Sequence, residues 1–254
     1  MLEIKKLSKS FGGLVATEAF DMTIGSGEFV GLIGPNGAGK TTIFNQITGY
    51  LKPTRGKIFF EGKDITGLSP HNIAAKGIIR TFQISALFTE YTVLQNVVAA
   101  CNLKPKISFW EAAFHTAGAR RKEQEILSRS REMVHFVGLD SLIDTPSSAL
   151  PHGHKRVLSI AIALAANPRL LLLDEPFSGM NSEEVAHAME VITRIAEKGT
   201  SILLIEHNMK AAMKLCKRLV VINFGKKIAE GTPEEIKSDP EVIQAYLGAG
   251  KNAA

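Results

Sequence analysis

The sequence predicts an α/β fold built on a parallel sheet, with a helical lobe inserted into it. Three observations predict this. A glycine-rich turn, Gly34 to Gly39, joins an apolar strand to a helix. After Asn167-Pro168, apolar strands alternate with helices, the rhythm of parallel strands and crossover helices. From about Ser85 to Ala149 the strand signals vanish and helix formers take over, with apolar residues three and four apart such as Ile126, Met133, Val134 and Val137.

Taken in order, the first third predicts strands over Leu2–Leu7, Glu28–Ile33 and Lys57–Glu61, the last between Gly56 and Gly62. The last third predicts a strand over Leu170–Leu173, a helix over Ser182–Lys198, a strand over Ser201–Ile205 and a helix from Asn208. Short strands over Arg218–Asn223 and Lys227–Ala229 follow. Small helices start after Thr232-Pro233 and Asp239-Pro240, where proline suits the first helical turn.

The 254 residues can bury a substantial core, as one large domain or two small ones. The net charge of +5 is spread in short clusters. It points only weakly to nucleic acid and fits attraction to an anionic inner leaflet equally well. Cys101 and Cys216 lie far apart without CxxC or histidine spacing, which excludes a disulfide framework and a recognisable zinc knuckle. The N-terminus lacks the apolar run of a signal peptide, and no stretch reaches the roughly eighteen apolar residues of a spanning helix. A cytoplasmic chain is expected.

The segment Gly34-Pro35-Asn36-Gly37-Ala38-Gly39-Lys40-Thr41, followed by Thr42, fits G-x-x-x-x-G-K-S/T between a strand and a helix. Glycines let backbone N–H groups close on phosphate oxygens, and the helix N-terminus favours negative charge. Lys40 is expected on the β and γ phosphates of ATP, and Thr41 is expected to offer its hydroxyl to Mg²⁺. A glycine turn without a ligand would leave Lys40 and Thr41 idle.

The strand Leu170–Leu173 delivers Asp174 and Glu175 at its C-terminal end, where open α/β sheets place ligands. Asp174 is expected in the Mg²⁺ shell and Glu175 as the general base for the attacking water. Alone, the pair could equally be a helix cap. His207 and Gln83 also follow predicted strands and complete a shell around a γ-phosphate. Each alone reads more readily as structural, and the combination carries the argument.

Across nearly the full chain these residues resemble the ABC ATPase family. GPNGAGKTT is similar to its phosphate loop, TFQ to its glutamine loop, LLLLDEP to its acidic strand, SGMN at Ser178–Asn181 to its dimer-contacting loop, and IEH to its switch histidine. The resemblance implies a P-loop NTPase core with an antiparallel β subdomain and an inserted helical subdomain. It makes 1–254 one ABC ATPase domain, with 1–83 and 160–254 as the nucleotide-binding lobe and 84–159 as the helical lobe. It also makes Phe11 the aromatic residue that stacks on adenine and adds Gln83 to the Mg²⁺ shell. An ordinary core phenylalanine is the plain alternative for Phe11.

The family signature LSGGQ is replaced by Leu150-Pro151-His152-Gly153-His154. In the family this segment reaches the γ-phosphate of a second cassette in a head-to-tail dimer. Pro151 lacks the hydroxyl and the N–H, so Gly153 and the helix start remain as donors, with His154 beside them. The pattern LPxGxxR is similar to that of branched-chain amino acid importers, although His154 departs from it. FGGLVA, LFTEYTVLQNV, the insert Trp110–Arg131 and the ending EVIQAYLG point the same way.

The resemblance implies an ATPase subunit at the cytoplasmic face of the inner membrane, working under transmembrane permease subunits and meeting a solute-binding protein only indirectly. Its helical stretch Ile107–Ala117, with Phe109, Trp110, Ala113 and Phe114 on one face, reads as core packing or as a contact with the membrane partner. The Arg120-Arg121-Lys122 run reads as a solvated face. The alternatives are service to a urea, amide or lipopolysaccharide system, a soluble ATPase of ribosomes or DNA, and a weak regulatory subunit. The single cassette without heptads or metal spacing argues against nucleic acid, and the presence of Glu175 and His207 argues against the regulatory reading.

Overall fold

The computed structural model of the chain describes residues 1–81, 87–101 and 117–249. Two compact units divide it. The first takes Met1–Arg80, Arg169–Pro176 and Ile192–Ala254, and the second takes Thr81–Pro168 and Phe177–Val191.

The first unit holds two sheets. Strands β1 (Leu2–Phe11), β2 (Leu14–Ile24), β4 (Arg55–Phe60) and β5 (Lys63–Asp64) form an antiparallel sheet in the order β2-β1-β4-β5. Strands β3 (Phe29–Ile33), β6 (Ile78–Arg80), β7 (Leu170–Asp174), β8 (Ser201–Glu206), β9 (Arg218–Asn223) and β10 (Lys226–Gly231) form the other, in the order β10-β9-β3-β8-β7-β6. All neighbours in it are parallel except β10, which returns beside β9 through the Phe224-Gly225 turn. Every residue of β3 and β8 is buried, and apart from Ser201 and Glu206 at the two ends of β8 they are apolar, as suits central parallel strands covered on both faces.

One core joins the two sheets and helix α1 (Lys40–Ile47). Leu2, Ile4, Phe20 and Ile58 from the antiparallel sheet pack with Ile43, Phe44 and Ile47 of α1, and with Leu32, Leu172, Leu203 and Val220 of the parallel sheet. Helices α2 (Pro70–Ala75), α7 (Met209–Leu215), α8 (Pro233–Ser238) and α9 (Pro240–Ala249) complete the unit. Arg218 ties its edges together, with Nε donating to Glu28 Oε1 at 2.7 Å, Nη2 donating to the Thr23 carbonyl at 2.7 Å, and Nη1 paired with Glu230.

The second unit is helical among its described residues, with α3 (Val93–Cys101), α4 (Ala117–Phe136), α5 (His152–Ala165) and the part of α6 (Ser182–Glu197) up to Val191. Val93, Val97, Val134, Val137 and Leu158 are fully or almost fully buried there. This unit runs past residue 159 because α5 is unbroken to Ala165, and Phe177–Val191 joins it as well.

Strand β2 is the main departure from the expected elements. Its residues, LVATEAFDMTI, pair along β1 through several irregularities of register, which interrupt the simple alternation of a half-buried strand. Ser182–Glu197 and Arg218–Asn223 fall within a residue of expectation. The helical face expected over Ile107–Ala117 lies at residues 107–116 outside the described residues.

Candidate functional site

The glycine turn leaves the buried end of β3 and enters α1 at its first residue, Lys40. Gly39 caps the helix with φ 106°, a conformation that favours glycine, and a Cβ there would stand 2.5 Å from the Ala16 carbonyl oxygen. The turn therefore lies directly on β2. It also leans on the β9–β10 hairpin, where Gly225 N–H donates to the Ala38 carbonyl at 2.9 Å and the Gly225 carbonyl accepts from Glu18 N–H at 2.8 Å. At Gly34 a Cβ would collide with the Ile222 carbonyl oxygen. No side chain caps α1 and no acidic residue stands in its first turn, so its leading amides are left for an anion. Asn36 and Gly37 are exposed, Pro35 and Thr42 are half-buried, and Thr41 is exposed on the first turn.

Lys40 is 6% exposed, and its ammonium donates to the Gly34 carbonyl at 2.7 Å and the Pro35 carbonyl at 2.8 Å. Burial pushes its pKa below the usual lysine value, while Glu175, Glu206 and Asp174 pull it back up. The expected lysine and both expected acids thus share one electrostatic neighbourhood.

Asp174 ends β7 and Glu206 ends the neighbouring β8, in a parallel register that sets Asp174 beside Ile205. Glu175 follows with φ 45°, a left-handed conformation unusual for a side chain of its size, and its N–H donates to the Ile205 carbonyl at 2.9 Å. His207 leaves β8 with Nδ1 3.7 Å from Glu175 Oε1, and both side chains are about half exposed. The fully buried carboxylate of Glu206 holds that turn, accepting from the N–H groups of His207 and Asn208 at 3.0 Å each.

Two residues of this neighbourhood escaped the sequence reading. Glu206 gave a signal, an acid closing an otherwise apolar strand. Arg80, the last residue of β6, gave a weaker one, a single charge in the strand IIR. Its Nη2 pairs with Asp174, its Nη1 donates to Asn45 Oδ1 at 2.8 Å, and its guanidinium lies 5.7 Å from the centre of the Phe44 ring.

Phe11 is not a core residue. It ends β1 46% exposed, beside exposed Leu14 and Val15, with Lys9 Nζ 5.1 Å from its ring centre. Gln83 lies outside the described residues.

In the second unit, Pro151 (φ −55°, ψ 156°) stands at the N-terminus of α5, which no side chain caps. Pro151 and His152 are exposed and Gly153 is buried, with the Glu184 carboxylate occupying the place a Cβ of Gly153 would need. The ring of His152 lies against Gly179 in the same manner. His154 Nδ1 is buried and has no hydrogen-bond partner among the described residues. Asn181 caps α6, its Oδ1 accepting from the N–H groups of Glu183 and Glu184 at 3.0 Å, while Glu184 Oε2 accepts from Asn181 N–H at 2.9 Å.

Among the described residues no cluster of three or more His, Cys, Asp or Glu side chains could hold a metal, and no helix is long and apolar enough to cross a membrane. Thr41 and Asp174 offer a hydroxyl and a carboxylate, oxygen donors of the kind Mg²⁺ takes together with substrate phosphates.

Comparison with known proteins gives a consistent picture. Residues 17–178 match the ABC transporter family, and residues 226–252 match the family described as branched-chain amino acid ATP-binding cassette transporter. The high-affinity branched-chain amino acid transport ATP-binding protein BraF of Pseudomonas aeruginosa is 40% identical over 249 residues, covering 98% of both chains. LivG of Escherichia coli K12, of the same description, is equally similar at 40% over 98% of both. The crystal structure of MJ1267, an ATP-binding cassette of an ABC transporter in its ADP conformation, superposes with a TM-score of 0.86 at 31% identity over 98% of each chain. The chain therefore belongs to the ABC transporter family, whose cassettes are the ATP-hydrolysing subunits of transporters.

Proposed function

We propose that this chain binds and hydrolyses ATP to power the import of branched-chain or related amino acids. One observation carries the ATPase reading. A buried lysine heads a helix at a glycine turn, with Asp174, Glu175 and Glu206 at the ends of neighbouring parallel strands acting on its charge. The solute class is supported by the two relatives of that description and by the C-terminal family match.

In this reading the triphosphate is gripped by main-chain amides of Gly34–Gly39 with Thr42 behind them, Lys40 meets the β and γ phosphates, and Phe11 stacks on the adenine ring. Thr41 and Asp174, with Gln83, would hold Mg²⁺, whose charge would offset that developing on the phosphate oxygens. Glu175 takes the proton of the attacking water, and His207 stands beside it on the γ-phosphate side. The backbone of Glu175 is left-handed and is tied to the Ile205 carbonyl of β8, beside the turn that carries His207.

The second compact unit is the lobe that carries the signature. Pro151, Gly153 and His154 cap the triphosphate held by a second cassette in a head-to-tail dimer. Membrane-embedded permease subunits are the partners, placing the chain at the cytoplasmic face of the inner membrane. The solute-binding protein is met only through them, and no nucleic acid is involved.

Disruption of the gene tests the solute assignment. Uptake of labelled leucine at low concentration should fall to background and return with the intact gene. Unchanged uptake of leucine, isoleucine and valine overturns it.

A further inference from the structure

Arg80 sits where a metal-site carboxylate has to be managed before any metal arrives. Its guanidinium is fixed from three sides: Nη2 on Asp174, Nη1 on Asn45 Oδ1 at 2.8 Å, and the Phe44 ring 5.7 Å away. The Arg80 and Asp174 side chains are only 19% and 18% exposed, so solvent screens this pair less than a surface pair. Arginine suits such a place because its planar fork stays charged and its donors are pre-organised. The anchors also have a direction. Phe44 and Asn45 belong to α1, the helix that begins at Lys40, so Arg80 joins the end of β7 to the helix of the glycine turn.

The geometry points to Arg80 as a built-in counter-cation for Asp174, a positioning residue that holds this carboxylate in the metal-free protein and opposes its transfer to Mg²⁺. The inference rests on the reading of Asp174 as a Mg²⁺ ligand. A carboxylate that already faces a guanidinium gives less of its charge to a divalent ion, so part of the affinity for the metal is spent on weakening the pair. Without the metal, the same pair keeps the Asp174 charge from repelling a polyphosphate. Arg80 thus narrows the gap between nucleotide binding with and without Mg²⁺.

The test is equilibrium binding of a fluorescent ADP to the purified chain, with and without chelator, together with Mg²⁺ titration of the ADP complex. Arg80→Gln is expected to tighten the apparent Mg²⁺ affinity about tenfold and to weaken metal-free ADP binding by a similar factor, the scale of one hydrogen bond between charged groups. Arg80→Lys keeps the charge without the fork and should fall between Arg80→Gln and the wild type, which keeps the test open if the glutamine variant does not fold. An unchanged ratio of metal-free to metal-bound affinity in the folded variants overturns the inference, as does weaker Mg²⁺ binding. An Asp174→Asn variant whose ADP complex takes Mg²⁺ as tightly as the wild type would instead overturn the underlying assignment of Asp174.

Discussion

Replacing Lys40 by methionine separates what the lysine does for the fold from what it does for a nucleotide. Methionine keeps the length of the buried stem and removes the ammonium. In the protein without nucleotide, the ammonium donates to two loop carbonyls, at 2.7 and 2.8 Å. Its burial opposes the charge, as the lowered pKa records. The two effects offset one another, so the variant should lose only about 1–2 kcal/mol of stability, or roughly 2–8 °C in melting temperature. With a nucleotide the balance differs, because the same donors turn to phosphate oxygens and each charge-assisted bond contributes about 1.5–3 kcal/mol. Two such bonds amount to about 3 kcal/mol or more, a loss of at least about a hundredfold in ATP affinity. Isothermal titration with Mg·ATP, paired with a melting curve of the nucleotide-free variant, measures both. A folded variant that binds ATP within about threefold of wild type refutes the assignment of Lys40 to the phosphates.

Three further outcomes are expected. Glu175→Gln should retain ATP binding, abolish turnover and accumulate an ATP-bound dimer visible by light scattering; phosphate release at the wild-type rate contradicts the general-base role. Gly39→Ala places a Cβ 2.5 Å from the Ala16 carbonyl oxygen at φ 106°, so it should cost about 2–4 kcal/mol and lower the melting temperature by about 5–15 °C, with nucleotide binding lost in proportion. Arg218 holds the Glu28 carboxyl below its ordinary value of 4.5. The stability this pair contributes is full above that value and is lost as pH falls through the folded-state pKa, so Glu28→Gln should destabilise at neutral pH and flatten the acid limb of a stability curve.

The parts of the site legible in the sequence are those whose geometry is local. A glycine turn between a strand and a helix needs only neighbouring residues to set its shape, and the acids at the end of Leu170–Leu173 need only an apolar strand before them. Arg80 was not legible because its partners lie 94 and 35 residues away, a juxtaposition made only when β6 pairs with β7 and α1 packs beneath them. Gly153 gave no hint that Glu184 would lie over it for the same reason, since the pair meets only through the packing of α5 and α6. The parallel sheet was legible from the alternation after Pro168. Strand β2 was obscured by irregular register against β1, which breaks the two-residue period a reader looks for.

The bond from Gly225 to Ala38 gives the tail of the chain a task at the far end of the sequence. The stretch that matches the branched-chain cassette family starts at residue 226, the first residue of β10 and the neighbour of that glycine. A protein cut after Phe224 would lose the amide that anchors Ala38 and the strand that keeps the hairpin in place. The β9–β10 hairpin is therefore a foundation for the glycine turn, and a truncation that breaches it should loosen Ala38 and the start of α1.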